Sequence, residues 1–126
     1  METFKLIIAG SRTIHYYFEL ERAVRQFQEH YNVTEPLEIV SGGAKGVDAL
    51  GERLAKDYGH YIAIFPAQWN KHGKAAGYLR NKEMAEYADG CIVMWDGQSK
   101  GSKHMWDLAK EYKLKCMLLN YGDTGP

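Results

Sequence analysis

Short runs of apolar residues recur along the chain, and each run is long enough to form one buried β-strand. The five runs are rich in β-branched and aromatic residues and have the sequences FKLIIAG, LEIVSGG, YIAIFPA, GCIVMWDG and CMLLNY. Nearly continuous apolar runs of this length are typical of strands that are covered on both faces. The pattern therefore predicts five buried strands.

Amphipathic segments separate these runs. Between the first two runs, Phe18, Leu20, Val24 and Phe27 lie near helical spacing, which is typical of an amphipathic helix. The later segments between runs have the same character. Four helices are predicted, over residues 16–31, 47–58, 78–88 and 102–112.

The alternation of strands and helices indicates an α/β fold. Strands that are joined by helices run parallel and cross over with a right hand, which places helices on both faces of the sheet. We therefore predict a Rossmann-like three-layer sandwich with a five-stranded parallel sheet. The length of 126 residues fits one domain, which we assign to residues 1–121, followed by a flexible C-terminal tail over residues 122–126.

Charge and composition narrow the choice of partner and compartment. Sixteen basic and sixteen acidic residues balance to a formal net charge of zero, so a long nucleic acid is not attracted by the global field. No apolar run approaches the roughly 20 residues that span a bilayer. Two cysteines without metal-type spacing and the absence of a cationic leader favour a reduced, cytoplasmic protein, and we expect neither a metal nor a cofactor.

Positive charge is concentrated in the loops that follow the predicted strands. In a parallel sheet these loops meet at the carboxyl edge, where ligands of such folds bind. Only Asp48 and Asp96 bring negative charge to this edge. The cations of the loops and of the adjoining helix are Arg12, Lys45, Lys71, Lys74, Arg80, Lys100 and Lys103. The distribution predicts a compact anionic ligand.

The segment SGGAKG, between the second strand and its helix, has the composition of an anion-binding loop. Glycines let a ligand approach the main chain, and the following helix start offers N–H donors. The segment has neither the ending of a P-loop nor the G-x-G-x-x-G fingerprint, and a tight turn that needs glycine only for its geometry is the alternative. Asp48 is placed either to cap the helix or to bind a ribose hydroxyl. The loop candidates are Ser41, Gly42, Gly43, Lys45 and Gly46.

Two further candidates, Arg80 and Asn81, open the third predicted helix. Arg80 is suited to hold a phosphate or carboxylate, and the alternative is a surface ion pair with Glu83 or Glu86. Asn81 is suited to contact a base or a ribose. This helix start therefore adds a possible clamp for an anionic ligand.

The loops on either side of that helix supply the remaining candidates. Trp69 and His72 precede it and are placed to stack on a base or cover the ligand, although a loop aromatic is as often a packing anchor. A catalytic acid or base role for His72 lacks a visible partner residue. Gly101 and Ser102, at the start of the last predicted helix, form a second potential anion site.

Taken in order, the segments GSR, SGGAKGVD, HGKAAGYLRN and DGQSKGS resemble the SLOG superfamily, most closely its small single-domain branch related to YspA and YpsA. The resemblance covers nearly the whole chain and implies a Rossmann-like fold that binds a nucleotide or a nucleotide-derived ligand. Members of this branch occur widely in bacteria and phages, and related domains commonly self-associate through their helices, so a homodimer or higher homo-oligomer is open. The contacts that it implies are Gly10, Ser11, Arg12, Gly42, Gly43, Arg80, Asn81, Gly101 and Ser102.

A resemblance to the LOG phosphoribohydrolases raises an enzymatic alternative, cleavage of an N-glycosidic bond in a nucleotide. Arg80 matches the arginine of that family, but Met105 stands where the family has its catalytic glutamate. A methionine cannot handle a proton or stabilise an oxocarbenium-like transition state. Asp107 lies roughly 200° further around the helix, which leaves Arg80, Asp48 and Asp96 as weak catalytic candidates.

A second relative by resemblance is the DprA family, whose SG-x-A-x-G-x-D loop is similar to SGGAKGVD. That family binds single-stranded DNA through a basic groove, whereas this chain has no net positive charge to support a long footprint. Nucleic acid is therefore the less favoured partner. We interpret the sequence as that of a noncatalytic nucleotide-binding protein that acts as a sensor, carrier or sequestering module, with the hydrolase and DNA-binding functions as alternatives.

Overall fold

A single parallel sheet forms the centre of the molecule, as the sequence predicts. The computed structural model describes residues 2–122, so that part of the predicted tail, residues 123–126, lies outside the described residues. The strand order is β3-β2-β1-β4-β5. The five strands are β1 (Phe4–Gly10), β2 (Leu37–Ser41), β3 (Tyr61–Ile64), β4 (Gly90–Trp95) and β5 (Lys115–Asn120).

The four predicted helices are confirmed, each within two residues at either end. One short element was not predicted: the residues after β3, expected to be a loop, contain a four-residue α-helix and a 3₁₀ turn. The helices are α1 (Tyr17–Tyr31), α2 (Val47–Tyr58), α3 (Trp69–His72), α4 (Ala76–Tyr87) and α5 (Lys100–Glu111), and the 3₁₀ turn covers Gly73–Ala75.

Two hydrophobic cores lie on opposite faces of the sheet, because successive side chains of a strand point to opposite sides. In β1, Leu6 and Ile8 belong to the core that also contains Phe27 of α1. Ile7, between them, belongs to the other core, together with Met84 of α4. This division confirms the three-layer sandwich.

The order of the strands determines where the loops leave a crevice. From β1 the chain proceeds through β2 to β3 on one side, and then returns to place β4 on the other side of β1. The connections that follow β1 and β4 therefore diverge at the carboxyl edge, and such a switch point is where ligands bind in open α/β sheets.

Candidate ligand site

A cavity of about 460 Å³ opens at this switch point. It is lined by residues of the loops after β1, β2 and β4 and by residues of α3, α4 and α5. Small-molecule sites have volumes of roughly 300–1,000 Å³, so the cavity has the size for a compact ligand. The predicted carboxyl-edge location thus contains a cavity.

The cavity has an apolar floor, and aromatic rings lie at its rim. Met84 and Met105, each 1% exposed, contribute to the floor. At the rim, the side chains of Trp69 and Tyr78 are 52% and 46% exposed. The ring of Tyr78 packs edge-on against His104, with 4.6 Å between the ring centroids. The two rings offer faces on which a planar group can stack.

Three cations reach the cavity from different elements. Arg12 lies in the loop after β1, Lys74 in the 3₁₀ turn and Arg80 in α4. The other four predicted cations, Lys45, Lys71, Lys100 and Lys103, are exposed and lie outside the cavity lining. Fewer cations therefore line the cavity than were predicted along the whole carboxyl edge.

Arg80 is held by the protein itself. Its Nη1 donates a hydrogen bond to the carbonyl oxygen of Gly42 over 2.5 Å, and its Nε donates to Oδ1 of Asn81 over 3.0 Å. Within residues 2–122 it forms no ion pair with Glu83 or Glu86, so the surface-pair alternative is wrong. Arg80 thus connects α4 to the loop of residues 41–46, which we call the glycine loop, while it still lines the cavity.

Asn81 is 5% exposed and connects α4 to the start of α5. Its Nδ2 donates to the carbonyl oxygen of Gly101 and lies 3.2 Å from Nδ1 of His104, while its Oδ1 accepts from Arg80. Nδ1 of His104 can accept this bond only when it carries no proton, as in the neutral imidazole. Burial lowers the pKa of His104 and so favours the neutral imidazole. Asn81 therefore positions Arg80 rather than presenting free polar atoms to a ligand.

Two main-chain N–H groups of the glycine loop donate to nearby side chains. The N–H of Gly43 donates to Oγ of Ser41 over 3.0 Å, and the N–H of Ala44 donates to Oδ2 of Asp48 over 3.1 Å. A Cβ built on Gly43 would meet Ile64 of β3 at 3.4 Å. Ala44 lines the cavity and Gly43 does not, and anion binding by this loop stays a prediction.

Asp48 does not cap α2. The N-cap residue is Gly46, and no side chain accepts a hydrogen bond there. The carboxylate of Asp48 instead accepts from Ala44, which precedes the helix, and it lines the cavity at 5% exposure. Burial raises the pKa of this carboxyl, although the N–H of Ala44 and the nearby Arg80 oppose the rise.

Asp96 is held in a turn ahead of α5. Its Oδ1 accepts hydrogen bonds from the N–H groups of Gln98 and Ser99, each over 2.8 Å, and these bonds lower the pKa of its carboxyl. Ser99 then caps α5 by accepting from the N–H of Ser102. The main-chain N–H of Asp96 donates to Oγ of Ser11, which joins the loops after β1 and β4.

Met105, which the resemblance to the LOG family places where that family has its glutamate, is part of the cavity wall. Asp107 is exposed, and its carboxylate pairs with Lys103 at 2.8 Å and with Lys110 at 4.0 Å. As expected from its position on the helix, Asp107 is not part of the cavity lining. No carboxylate of α5, a helix that the structure describes completely, lines the cavity.

The structure brings most of the predicted contacts together and leaves others aside. Among the predicted site residues, the cavity is lined by Gly10, Arg12, Asp48, Trp69, Arg80, Asn81, Asp96, Gly101 and Ser102. Those that lie outside its lining are Ser11, Ser41, Gly42, Gly43, Lys45, Gly46 and His72. Sequence reasoning missed the rim residue Tyr78 and its neighbour His104, because single aromatic residues in amphipathic helices carry no signal of a site.

Two further features of the described residues concern partners. Between residues 2 and 122 there is no group of three or more His, Cys, Asp or Glu side chains that is placed to hold a metal ion. None of the helices in that range has the length and apolar character needed to cross a membrane.

The fold of the chain is shared with a known structure. The X-ray structure of DNA processing protein A (DprA) from Streptococcus pneumoniae matches 92% of this chain with a TM-score of 0.71 and 21% sequence identity. The chain spans 50% of the length of that DprA chain. At this level of identity the likeness establishes a common DprA-like Rossmann fold.

Sequence comparison gives a closer relationship. No family profile matches the chain. The Gene 61 protein of Mycobacterium phage D29 is 36% identical over 93 residues, which represent 69% of this chain and 73% of the phage protein. The chain therefore belongs to the family of the Gene 61 protein of Mycobacterium phage D29.

Proposed function

We propose that the chain is a single SLOG-type domain of the small, YspA-related branch, and that it binds a nucleotide or a nucleotide-derived ligand in the cytoplasm. The observation that supports this function is the cavity at the switch point, in which Arg12, Lys74 and Arg80 surround an apolar floor and two aromatic rings stand at the rim. A nucleotide combines the same properties, since it has an anionic phosphate and a flat, stackable base.

Arg12 is the cation best placed to bind the phosphate. Its side chain is exposed, and within residues 2–122 it forms neither a side-chain hydrogen bond nor an ion pair, whereas Arg80 is committed to Gly42 and Asn81. A guanidinium can donate two parallel hydrogen bonds to phosphate oxygens. Lys74, in the 3₁₀ turn, supplies a second charge.

Binding without cleavage is favoured over hydrolysis by the state of the carboxylates. Met105 occupies the wall where a catalytic acid is expected, and Asp96 is engaged by two main-chain donors. The remaining acid of the cavity, Asp48, is held against the glycine loop. A hydrolase of the LOG type stays an alternative, in which Asp48 would have to act as the carboxylate.

Single-stranded DNA is the second candidate ligand, and the shared fold with a DNA processing protein favours it. The exposed rings of Trp69 and Tyr78 beside Lys74 also suit the stacking of successive bases. The volume of the cavity, about 460 Å³, however, matches one nucleotide better than a strand. The two candidates differ in how the affinity depends on ligand length and on salt.

Thermal unfolding with a ligand panel tests the proposal. A nucleotide that binds only the folded protein is expected to add about 2.7 kcal/mol to the free energy of unfolding at about a hundredfold excess over its Kd. The panel comprises nucleoside monophosphates, dinucleotides and ADP-ribose derivatives, with the matching nucleosides as controls. Chromatography of the same samples shows whether a free base is released.

Three outcomes separate the candidate functions. Stabilisation by an intact nucleotide supports the binding function, whereas release of free base supports the hydrolase. A higher affinity for an oligodeoxynucleotide than for any mononucleotide, with steep salt dependence, supports the DNA-binding alternative. Failure of every nucleotide to bind contradicts the proposal.

A further inference from the structure

Asp48 is a buried carboxylate with an incomplete set of hydrogen bonds. Its side chain lies in the first turn of α2 and belongs to a residue that is only 5% exposed. Oδ2 accepts one hydrogen bond, from the N–H of Ala44. Within residues 2–122 no group donates to Oδ1. A charged carboxylate can accept about four hydrogen bonds, so most of its capacity is unused.

The free oxygen of Asp48 is not sealed inside the protein. In the described part of the chain, no side-chain oxygen that is sealed from solvent lacks a partner, so Oδ1 keeps contact with solvent. Asp48 also lines the cavity. A hydroxyl group of a ligand in the cavity would therefore lie beside this carboxylate.

Arg80 lies beside Asp48 without neutralising it directly. A Cβ built on Gly42 would lie 2.5 Å from Nη1 of Arg80 and 2.8 Å from Oδ2 of Asp48, so both groups converge on this glycine. Nη1 nevertheless donates to the carbonyl oxygen of Gly42, and no ion pair within 4.0 Å joins Arg80 to Asp48 in residues 2–122. The carboxylate keeps its acceptor capacity for a ligand.

The charge of Asp48 determines which part of a nucleotide it can meet. A carboxylate repels a phosphate, which leaves that group to Arg12 and Lys74. The aromatic rim of Trp69 and Tyr78 provides for the base. The part between phosphate and base is the sugar, whose hydroxyl groups donate the hydrogen bonds that Oδ1 lacks.

On the basis of the proposed nucleotide-binding function, we propose that Asp48 binds the ribose hydroxyls and makes the cavity selective for ribonucleotides over 2′-deoxyribonucleotides. A deoxyribose leaves the buried carboxylate short of a donor, which reduces its affinity, because an unsatisfied buried charge is costly. Asp48 is then a specificity-determining residue.

The selectivity test compares the four ribonucleoside 5′-monophosphates with their 2′-deoxy counterparts by calorimetry. The native protein is expected to bind at least one ribonucleotide about tenfold or more tightly than its deoxy form, as expected for a hydrogen bond to a charged group. In Asp48→Asn the amide oxygen can still accept from Ala44, but the amide nitrogen accepts nothing from a hydroxyl and can only donate a weaker, neutral hydrogen bond to its oxygen. The ratio of the two affinities is therefore expected to fall towards one.

Thermal unfolding of ligand-free Asp48→Asn checks that the variant is folded. Since burial raises the pKa of Asp48, folding disfavours its charge, and the neutral variant is expected to unfold at a temperature no lower than the native protein. Glu52→Gln serves as the matched control, because Glu52 lies one turn further along α2 and bonds Ser41, outside the cavity lining. This control is expected to keep the native selectivity.

The outcomes distinguish this inference from the proposed function. If neither series binds, and no dinucleotide or ADP-ribose derivative of the panel binds, nucleotide binding itself is wrong. If both bind equally, nucleotide binding stands and ribose recognition by Asp48 is wrong. Equal binding of the two series together with a preference for one base, lost in Asp48→Asn, would show that the carboxylate contacts the base instead of the sugar.

Discussion

Replacement of Gly46 by alanine is expected to destabilise the fold by about 3–5 kcal/mol. Gly46 has φ +73° and ψ −125°, a conformation that is essentially restricted to glycine. A Cβ at this position would also lie 2.4 Å from the carbonyl oxygen of Ser11 and 2.5 Å from Cα of Arg12. These are main-chain atoms of the neighbouring loop, so they cannot move aside as a flexible side chain can.

Gly59→Ala is the matched control for this prediction. Gly59 has nearly the same φ, +71°, at the C-terminal end of α2, but a Cβ there would meet no atom within 4 Å. We expect Gly59→Ala to lower the free energy of unfolding by only about 1 kcal/mol, the cost of an alanine in the left-handed conformation. Urea unfolding of both variants measures the difference. Equal losses at the two positions would show that contact with the β1 loop contributes nothing.

The close packing at Gly46 illustrates what the sequence reveals about the glycine loop. The sequence predicted its special backbone geometry, but not which atoms pack against its glycines. Glycines at a strand-to-helix junction indicate special backbone geometry, and that inference is correct for Gly46. They do not reveal whether the space above them is filled by a ligand or by the protein. Here Arg80 and Asp48 fill the space at Gly42, and Arg80 reaches it from a position 38 residues further along the chain.

The fold was more predictable than the site for a related physical reason. Strands and helices follow from periodic burial, which is a property of neighbouring residues, and all five strands and four main helices were predicted. The short helix α3 was missed because four residues contain too little periodic pattern. The cavity edge followed from topology, but the partners of Asn81 depend on how α4 and α5 pack together.

Replacement of Arg12 by alanine is expected to weaken phosphorylated ligands by about 10–100-fold, the range for losing a hydrogen bond between charged groups. Arg12 lines the cavity, and its exposed side chain has no hydrogen-bond partner among residues 2–122. The loss should therefore come from the ligand and not from a broken internal contact. The stability of the ligand-free protein is expected to change by less than about 0.5 kcal/mol, as is usual for a surface position.

Two comparisons show whether Arg12 contacts a phosphate. The affinity of the matching nucleoside, measured with the same variant by calorimetry, should change little, because it has no phosphate to lose. Lys45→Ala removes one positive charge from the same edge of the sheet, but Lys45 is exposed and outside the cavity lining. If Lys45→Ala weakens the nucleotide as much as Arg12→Ala does, the general field at this edge attracts the ligand. If Arg12→Ala lowers the affinities of the nucleoside and the nucleotide by the same factor, Arg12 maintains the shape of the cavity and does not contact the phosphate.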